Sequence, residues 1–82
     1  MKTTRYFDEQ VLRKRRYLQT AWIEATLLAP ARRIEQPDGR VRLWRRVELE
    51  DGKTYMLRVV TLADGETVHN AFFDRDAKEA DA

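Results

Sequence analysis

The sequence predicts an α+β domain in which two N-terminal helices pack on a four-stranded antiparallel meander, in the order ααββββ. Three Asp-Gly steps, which follow one another at intervals of 13 residues, predict the hairpins: Asp38-Gly39, Asp51-Gly52 and Asp64-Gly65. Asp-Gly between apolar-rich runs indicates a two-residue turn of type I′, because both central residues of that turn need a positive φ. The first 30 residues instead carry apolar residues at helical spacing.

Capping residues and a proline predict the bounds of the two helices. Thr3 or Thr4 can cap the first helix, and Thr20 is the expected cap of the second. Pro30 ends the second helix, because the residue before a proline is disfavoured in the helical region. The apolar residues expected to face the sheet are Phe7, Val11, Trp22, Ile23, Leu27 and Leu28.

Four strands follow the helices and complete one small domain. They are predicted at about Arg32–Gln36, Val41–Leu49, Thr54–Leu62 and Thr67–Phe73. A chain of 82 residues suffices for a single domain with a modest core, which we place at residues 1–76. The charged residues 77–82 are expected to form a frayed tail.

The composition argues against several classes of protein. The absence of Cys excludes disulfides and thiolate metal sites, and with a single His we predict no metal site and no other cofactor. No apolar run approaches the roughly 20 residues of a membrane span. The N-terminus also lacks the apolar stretch of a signal peptide. We therefore expect a soluble cytoplasmic protein without membrane association.

Positive charge is concentrated in the first half of the chain. Residues 1–46 hold 12 Lys and Arg against five Asp and Glu, whereas residues 47–82 hold four against nine. Such asymmetry can be the footprint of a nucleic-acid-binding surface. The alternative is a pair of solvated faces that neutralise each other within one small domain.

Two-residue turns would fix the strand register and, with it, the two faces of the sheet. They place Arg32, Arg45 and Arg58 in one cross-strand row, with His69 in the adjacent row of the same face. Three arginines should not be buried without partners, so we expect this face to be open. The residues then expected to lie under the helices are Trp44, Leu57, Val59, Val68 and Phe72.

The row of arginines requires an explanation, because like charges opposite one another destabilise a sheet. A phosphate held by forked guanidinium donors would supply one. Alternatively, a bulge shifts the register, or an acidic residue among Asp74, Asp76 and Glu79 folds back over the row. The same face would carry apolar residues that need a cover from a partner protein, a second copy or the chain's own tail. These residues are Val41, Leu43, Val60 and Leu62.

Four segments carry a family resemblance: residues 14–18 (KRRYL), the helix that ends at Pro30, the turn at 36–40 (QPDGR), and residues 57–61 (LRVVT) before the last strand. Together, over about residues 4–75, they resemble a family of small bacterial uncharacterised domains that is grouped with RelE- and BrnT-type toxins. The resemblance implies a compact helix-plus-sheet fold that serves as a ribonuclease. It also implies a partner antitoxin.

The resemblance extends to individual residues. In RelE-type toxins an Arg in the middle of the third strand contacts the RNA phosphate from the open face, and Arg58 matches that position. A basic residue just past the last strand recurs there, and Arg75 is similar. The related domains often have a His at the start of the first helix, whereas the one His of this chain is His69 in the last strand.

The open face is thus predicted to carry a ribonuclease site. Metal-free RNA cleavage needs an acid–base group, for which His is suited at neutral pH, and cations that stabilise the developing charge. We therefore predict Arg58 and His69 as catalytic residues and Arg45, Arg32 and Arg75 as substrate-binding residues. A lone His in a strand can equally be an ordinary packed or surface residue.

Three functions are compatible with the sequence. The first is a toxin-type, metal-independent endoribonuclease inhibited by an antitoxin. The second is a non-catalytic module that binds RNA, another nucleic acid or the ribosome with the same basic face. The third is a protein-interaction or structural domain, with a homodimer formed through the open sheet face.

Overall fold

The computed structural model describes residues 1–77 and confirms the predicted α+β arrangement. Helix α1 consists of a π-helical segment, Phe7–Val11, and an α-helical turn, Leu12–Lys14, and helix α2 is Thr20–Leu28. Four antiparallel strands pair in chain order, and each begins and ends within one residue of its predicted bounds. They are β1 (Arg32–Glu35), β2 (Val41–Glu48), β3 (Thr54–Thr61) and β4 (Val68–Phe73). No helix within residues 1–77 is long and apolar enough to cross a membrane.

Thr4 caps helix α1, as the sequence predicts. Its Oγ1 accepts a hydrogen bond from the backbone N–H of Phe7 at 3.1 Å, which satisfies one of the free donors at the helix start. The backbone N–H of Thr4 donates to the Val68 carbonyl at 2.9 Å. The start of the helix is thereby tied to the first residue of strand β4.

Helix α2 ends before Pro30 as predicted, but its N-cap residue and its buried stripe differ from the prediction. Gln19, rather than Thr20, is its N-cap residue, and no side chain caps the helix there. The buried stripe consists of Ile23 and Thr26, whose hydroxyl donates to the Trp22 carbonyl at 2.8 Å and is thereby satisfied without solvent. Leu28 is 87% exposed, because it lies two residues beyond Thr26 and so projects from the other side of the helix.

The hairpin turns are longer than two residues. In the first turn the Gln36 N–H donates to the Arg40 carbonyl and the Gly39 N–H donates to the Gln36 carbonyl, at 2.7 and 2.9 Å. Only Gly39 has a positive φ, of 91°, whereas a type I′ turn would need one at Asp38 as well. This is a three-residue loop with a type I turn followed by a left-handed glycine. The second turn repeats it between Leu49 and Lys53.

The extra residue in these turns moves the register by one and corrects the predicted faces. Trp44, not Arg45, pairs with both Arg32 and Arg58. Because successive side chains of a strand point to opposite faces, Arg45 lies on the face under the helices and Trp44 on the open face. The predicted row of three arginines is therefore wrong, and the alternative of a bulge-shifted register is confirmed.

The side of the sheet that carries the helices holds the core. Its members are Phe7, Val11, Leu18, Ile23, Val47, Leu57, Val59, Val68 and Ala71. The sequence correctly placed Leu57, Val59 and Val68 under the helices. It wrongly placed Trp44 and Phe72 there, because both pair with Arg58 and so lie on the open face.

Two apolar residues that were expected on the open face are also on the helix side. Val41 and Leu43 alternate with Trp44 along β2, so they point away from the open face, and both are buried. They were two of the four apolar residues for which a cover over that face was expected. Val60, a third, pairs with Arg42 and Asn70 and stays on the open face.

The chain continues past β4 along the neighbouring strand. The Asp74 N–H donates to the Met56 carbonyl at 2.8 Å, and the Ala77 N–H donates to Asp74 Oδ1 at 3.2 Å. Ala77, the first residue of the predicted frayed tail, is thus hydrogen-bonded. Residues 78–82 lie outside the described residues.

Candidate nucleic-acid interface

A concavity of about 380 Å³ on the open face of the sheet contains the predicted pair Arg58 and His69. We call it the open-face concavity. Its wall is formed by residues from four parts of the fold: the start of α1, the first hairpin turn, β3 and β4. The lining residues are Tyr6, Gln36, Arg40, Arg58, Val60, His69, Asn70 and Phe72.

A bulge in strand β4 brings His69 to this concavity. Thr61 pairs with Val68 and Val60 pairs with Asn70, so the register shifts between these pairs and His69 is the extra residue. Bulges commonly redirect a side chain in this way. The predicted neighbourhood of His69 and Arg58 therefore survives, although the predicted register does not.

Two residues at the start of helix α1 contact the ring of His69. Its Nδ1 lies 3.0 Å from Thr4 Oγ1, and its ring stacks on Tyr6 with centroids 4.9 Å apart and planes at 29°. Burial, and secondarily the positive charge of Arg40, lowers the pKa of His69 below its usual value of 6.5. The imidazole is accordingly neutral at pH 7.

Arg58 occupies the centre of the open face but has partners of its own. Its guanidinium carbon lies 5.5 Å from the ring centroid of Trp44 and 5.2 Å from that of Phe72. Its NH1 is 3.6 Å from Asp74 Oδ2, and the two side chains are only 21% and 11% exposed. Burial lowers the pKa of Arg58, the charge of Arg42 lowers it further and Asp74 raises it. The group remains charged, as guanidinium groups do in proteins.

Asp74 is the acidic residue that folds back over the arginine, as one of the alternatives predicted. Its Oδ2 also accepts a hydrogen bond from Trp44 Nε1 at 3.0 Å, and its Oδ1 accepts from the backbone N–H groups of Asp76 and Ala77. Burial raises the pKa of Asp74, but these hydrogen bonds and the charge of Arg58 lower it more, so the net shift is downward. An ionised carboxylate therefore neutralises part of the charge of Arg58.

Guanidinium groups and aromatic rings alternate across the open face. The order is Arg15, Phe72, Arg58, Trp44 and Arg32, and neighbouring members lie 5.2 to 5.7 Å apart. We call this series the cation–aromatic ladder. Each such contact contributes roughly 0.5–2 kcal/mol, depending on its desolvation. Arg32 is thus on the open face, as predicted, but as a ladder member stacked on Trp44.

The other two predicted substrate-binding residues lie elsewhere. Arg45 NH1 donates to the Ala29 carbonyl at 2.7 Å, where it satisfies a carbonyl at the C-terminal end of α2. Arg75 is exposed and lines a separate depression with Tyr55 and Phe73. Neither contributes to the open-face concavity.

Sequence reasoning missed four residues of the concavity that can contact a ligand: Tyr6, Gln36, Arg40 and Asn70. Arg40 is the most informative, because it is exposed and its charge acts on His69. A three-residue loop at residues 37–39 places Arg40 opposite Gln36, at the concavity's rim. The position of Arg40 depends on the length of the turn, and an Asp-Gly step alone does not determine that length.

The concavity combines donors that suit an anion. Arg40 and Arg58 supply positive charge, His69 supplies a ring nitrogen, and Gln36 and Asn70 supply side-chain amides. Comparisons with protein-family models, with curated proteins and with solved structures found no match. The resemblance to RelE- and BrnT-type toxins therefore stays a prediction.

Proposed function

We propose that this protein is a cytoplasmic RNA-binding protein that holds a phosphate of the RNA backbone in the open-face concavity. The observation that supports the proposal is the convergence of Arg40, Arg58 and His69 on one cavity of about 380 Å³. Guanidinium groups bind phosphate through forked, charge-assisted hydrogen bonds. Phosphate contacts also supply most of the affinity of proteins for nucleic acids.

The surroundings of the concavity favour a polynucleotide over an isolated anion. The cation–aromatic ladder carries two further arginines, Arg15 and Arg32, along the same face. Tyr6 is 49% exposed at the concavity, and an accessible ring can stack with an unpaired base. A single strand would thus find a phosphate site, additional positive charge and a stacking surface within one face.

Arg40 is the residue with which to test the proposal, because Arg58 is already engaged by Asp74. Replacing Arg40 by Ala should weaken binding to a single-stranded oligoribonucleotide. It should also reduce the magnitude of the slope of log K against log salt concentration by about 0.7, the value for one lost phosphate contact. Fluorescence anisotropy over a salt series measures both quantities.

Arg13→Ala is the matched control, since it removes the same charge from the exposed surface of α1. It should leave the affinity and the salt slope near those of the wild type. Equal weakening by both substitutions would mean that only the net charge matters, and absence of RNA binding by the wild type would refute the proposal.

A toxin-type, metal-independent endoribonuclease is the second candidate. One observation favours it: a neutral imidazole and two guanidinium groups share the concavity, which brings a proton-exchanging group next to cations. An antitoxin that covers the open face would then block access to RNA. The RNA from the binding experiment, incubated with a chelator, should be shortened by the wild-type protein, whereas intact RNA would limit the function to binding.

A further inference from the structure

Thr4 is fixed by hydrogen bonds before its side chain meets His69. Its backbone N–H donates to the Val68 carbonyl, in the residue next to His69, and its carbonyl accepts from the Asp8 N–H. Its Oγ1 accepts from the Phe7 N–H at 3.1 Å. The hydroxyl therefore has a set position relative to strand β4, and its oxygen lies 3.0 Å from His69 Nδ1.

Either tautomer of His69 can form this contact, and the two differ in how the hydroxyl proton of Thr4 is used. A threonine hydroxyl has one proton to donate, and Oγ1 already accepts one hydrogen bond from the helix. If the hydroxyl donates its hydrogen bond to Nδ1, every polar hydrogen at the contact is used. If Nδ1 were the donor, two N–H groups would converge on Oγ1 and the hydroxyl proton would lose this partner. The first arrangement is favoured, and it leaves the ring's hydrogen on Nε2.

We propose that Thr4 is a positioning residue whose hydroxyl holds neutral His69 in the Nε2–H tautomer, so that Nε2 donates a hydrogen bond to a phosphate oxygen in the open-face concavity. The phosphate contact rests on the proposed function, whereas the tautomer does not. In this arrangement His69 binds the anion without first taking up a proton. A ring with its hydrogen on Nε2 cannot also accept a proton there, which assigns His69 the donor role.

The groups around the ring are consistent with this assignment. Tyr6 stacks on it from the start of α1, Arg40 faces it from the first turn, and Arg58 lines the same cavity from β3. The charge of Arg40 disfavours a protonated imidazole, and both arginines attract an anion. Because Nδ1 is engaged by Thr4, Nε2 is the ring nitrogen left for that anion.

Nitrogen NMR of the imidazole ring tests the tautomer directly. His69 is the single His of the chain, so a long-range ¹H–¹⁵N correlation spectrum contains one imidazole. At pH 7.5 we expect Nδ1 to resonate as an unprotonated nitrogen and Nε2 as a protonated one. Thr4→Ser retains the hydroxyl and should give the same pattern.

Thr4→Asp is an informative variant, because Asp caps a helix as well as Thr does but can only accept hydrogen bonds when ionised. It should move the hydrogen to Nδ1 and raise the pKa of His69. The rise in pKa follows from the added charge alone, so the role of Thr4 is decided by where the hydrogen lies in the wild-type and Thr4→Ser spectra. If Thr4→Asp does not fold, the wild-type and Thr4→Ser spectra alone decide the tautomer.

Two results would overturn different parts of the proposal. A wild-type Nδ1–H tautomer, or a Thr4→Asp spectrum like that of the wild type, would refute the role of Thr4. Addition of a single-stranded oligouridylate should shift the Nε2 resonance. If the proposed tautomer is observed but the Nε2 resonance does not shift, the phosphate contact at His69 is refuted and the role of Thr4 stands.

Discussion

Asp74 contacts Trp44 and Arg58, two residues that the predicted register had placed on opposite faces of the sheet. A single oxygen, Oδ2, accepts from Trp44 Nε1 and faces NH1 of Arg58. Within the described residues, Nε of Arg58 is buried without a hydrogen-bond partner. Asp74 and the rings of Trp44 and Phe72 therefore stabilise the position of this guanidinium group.

The first residue-scale prediction concerns Asp74→Asn. Loss of a charge-assisted contact should lower the free energy of unfolding by about 1.5–3 kcal/mol at pH 7, because Arg58 would stay half-buried without its counter-charge. The folded-state pKa of Asp74 is lowered, so its contribution is complete above the usual Asp pKa and is lost as pH falls through the folded value. The difference between wild type and variant should accordingly shrink below about pH 4.

Urea unfolding of both proteins at pH 7 and at pH 2.5 measures this difference. Other carboxylates titrate in both proteins and cancel in the comparison. A difference that is equal at the two pH values would show that the ionised carboxylate of Asp74 is not what stabilises the fold.

At the residue scale, the sequence identified the pair Arg58 and His69 but not their surroundings. Arg58 could be predicted because an arginine flanked by apolar residues in a central strand has to face away from the core. Its partner Asp74 was one of three acidic alternatives, because the path of the chain after β4 depends on a tertiary hydrogen bond to Met56. Tyr6 could not be placed without knowing how α1 packs on β4.

At the scale of elements, the lengths of the hairpin turns determine which side chains share a face of the sheet. In each turn the Asp Oδ1 accepts from the backbone N–H two residues later, that of Arg40, Lys53 or Glu66. This local bond keeps the aspartate at negative φ and leaves the positive φ to glycine alone. Asp-Gly is compatible with two-residue and longer loops, so the position of each turn was predictable and its length was not.

At Gly52 the need of the turn for a positive φ can be tested separately from steric contacts. Its φ is 85°, and a Cβ built there would meet nothing within 4 Å, so a side chain would cost only backbone strain. Gly52→Val should lower the free energy of unfolding by about 1–2 kcal/mol, which thermal or urea unfolding can measure.

Gly52→Asn is its matched control, because Asn tolerates the left-handed region better than other residues. It should cost clearly less than Val. Equal losses for the two substitutions would mean that the positive φ is not what the second turn requires.

The whole molecule separates two kinds of chemistry on the two sides of one sheet. The side under the helices is apolar and was predictable from strand alternation and helical spacing, apart from the one-residue shift. The open side carries the cation–aromatic ladder and the concavity. These features arise from Trp44 and Phe72 being opposite Arg58, which depends on the turn lengths and on the β4 bulge together.

We propose that RNA binds at the open face and not to the basic surface as a whole. Backbone amide NMR during titration with a single-stranded oligoribonucleotide tests it most directly, at low salt and again at high salt. We expect shifts at Tyr6, at residues 36–40 and at His69 and Asn70, all of which diminish as salt is raised. The amides of helix α2 should stay unchanged. Shifts confined to the helices, or no shifts at low salt, would refute RNA binding at the open face.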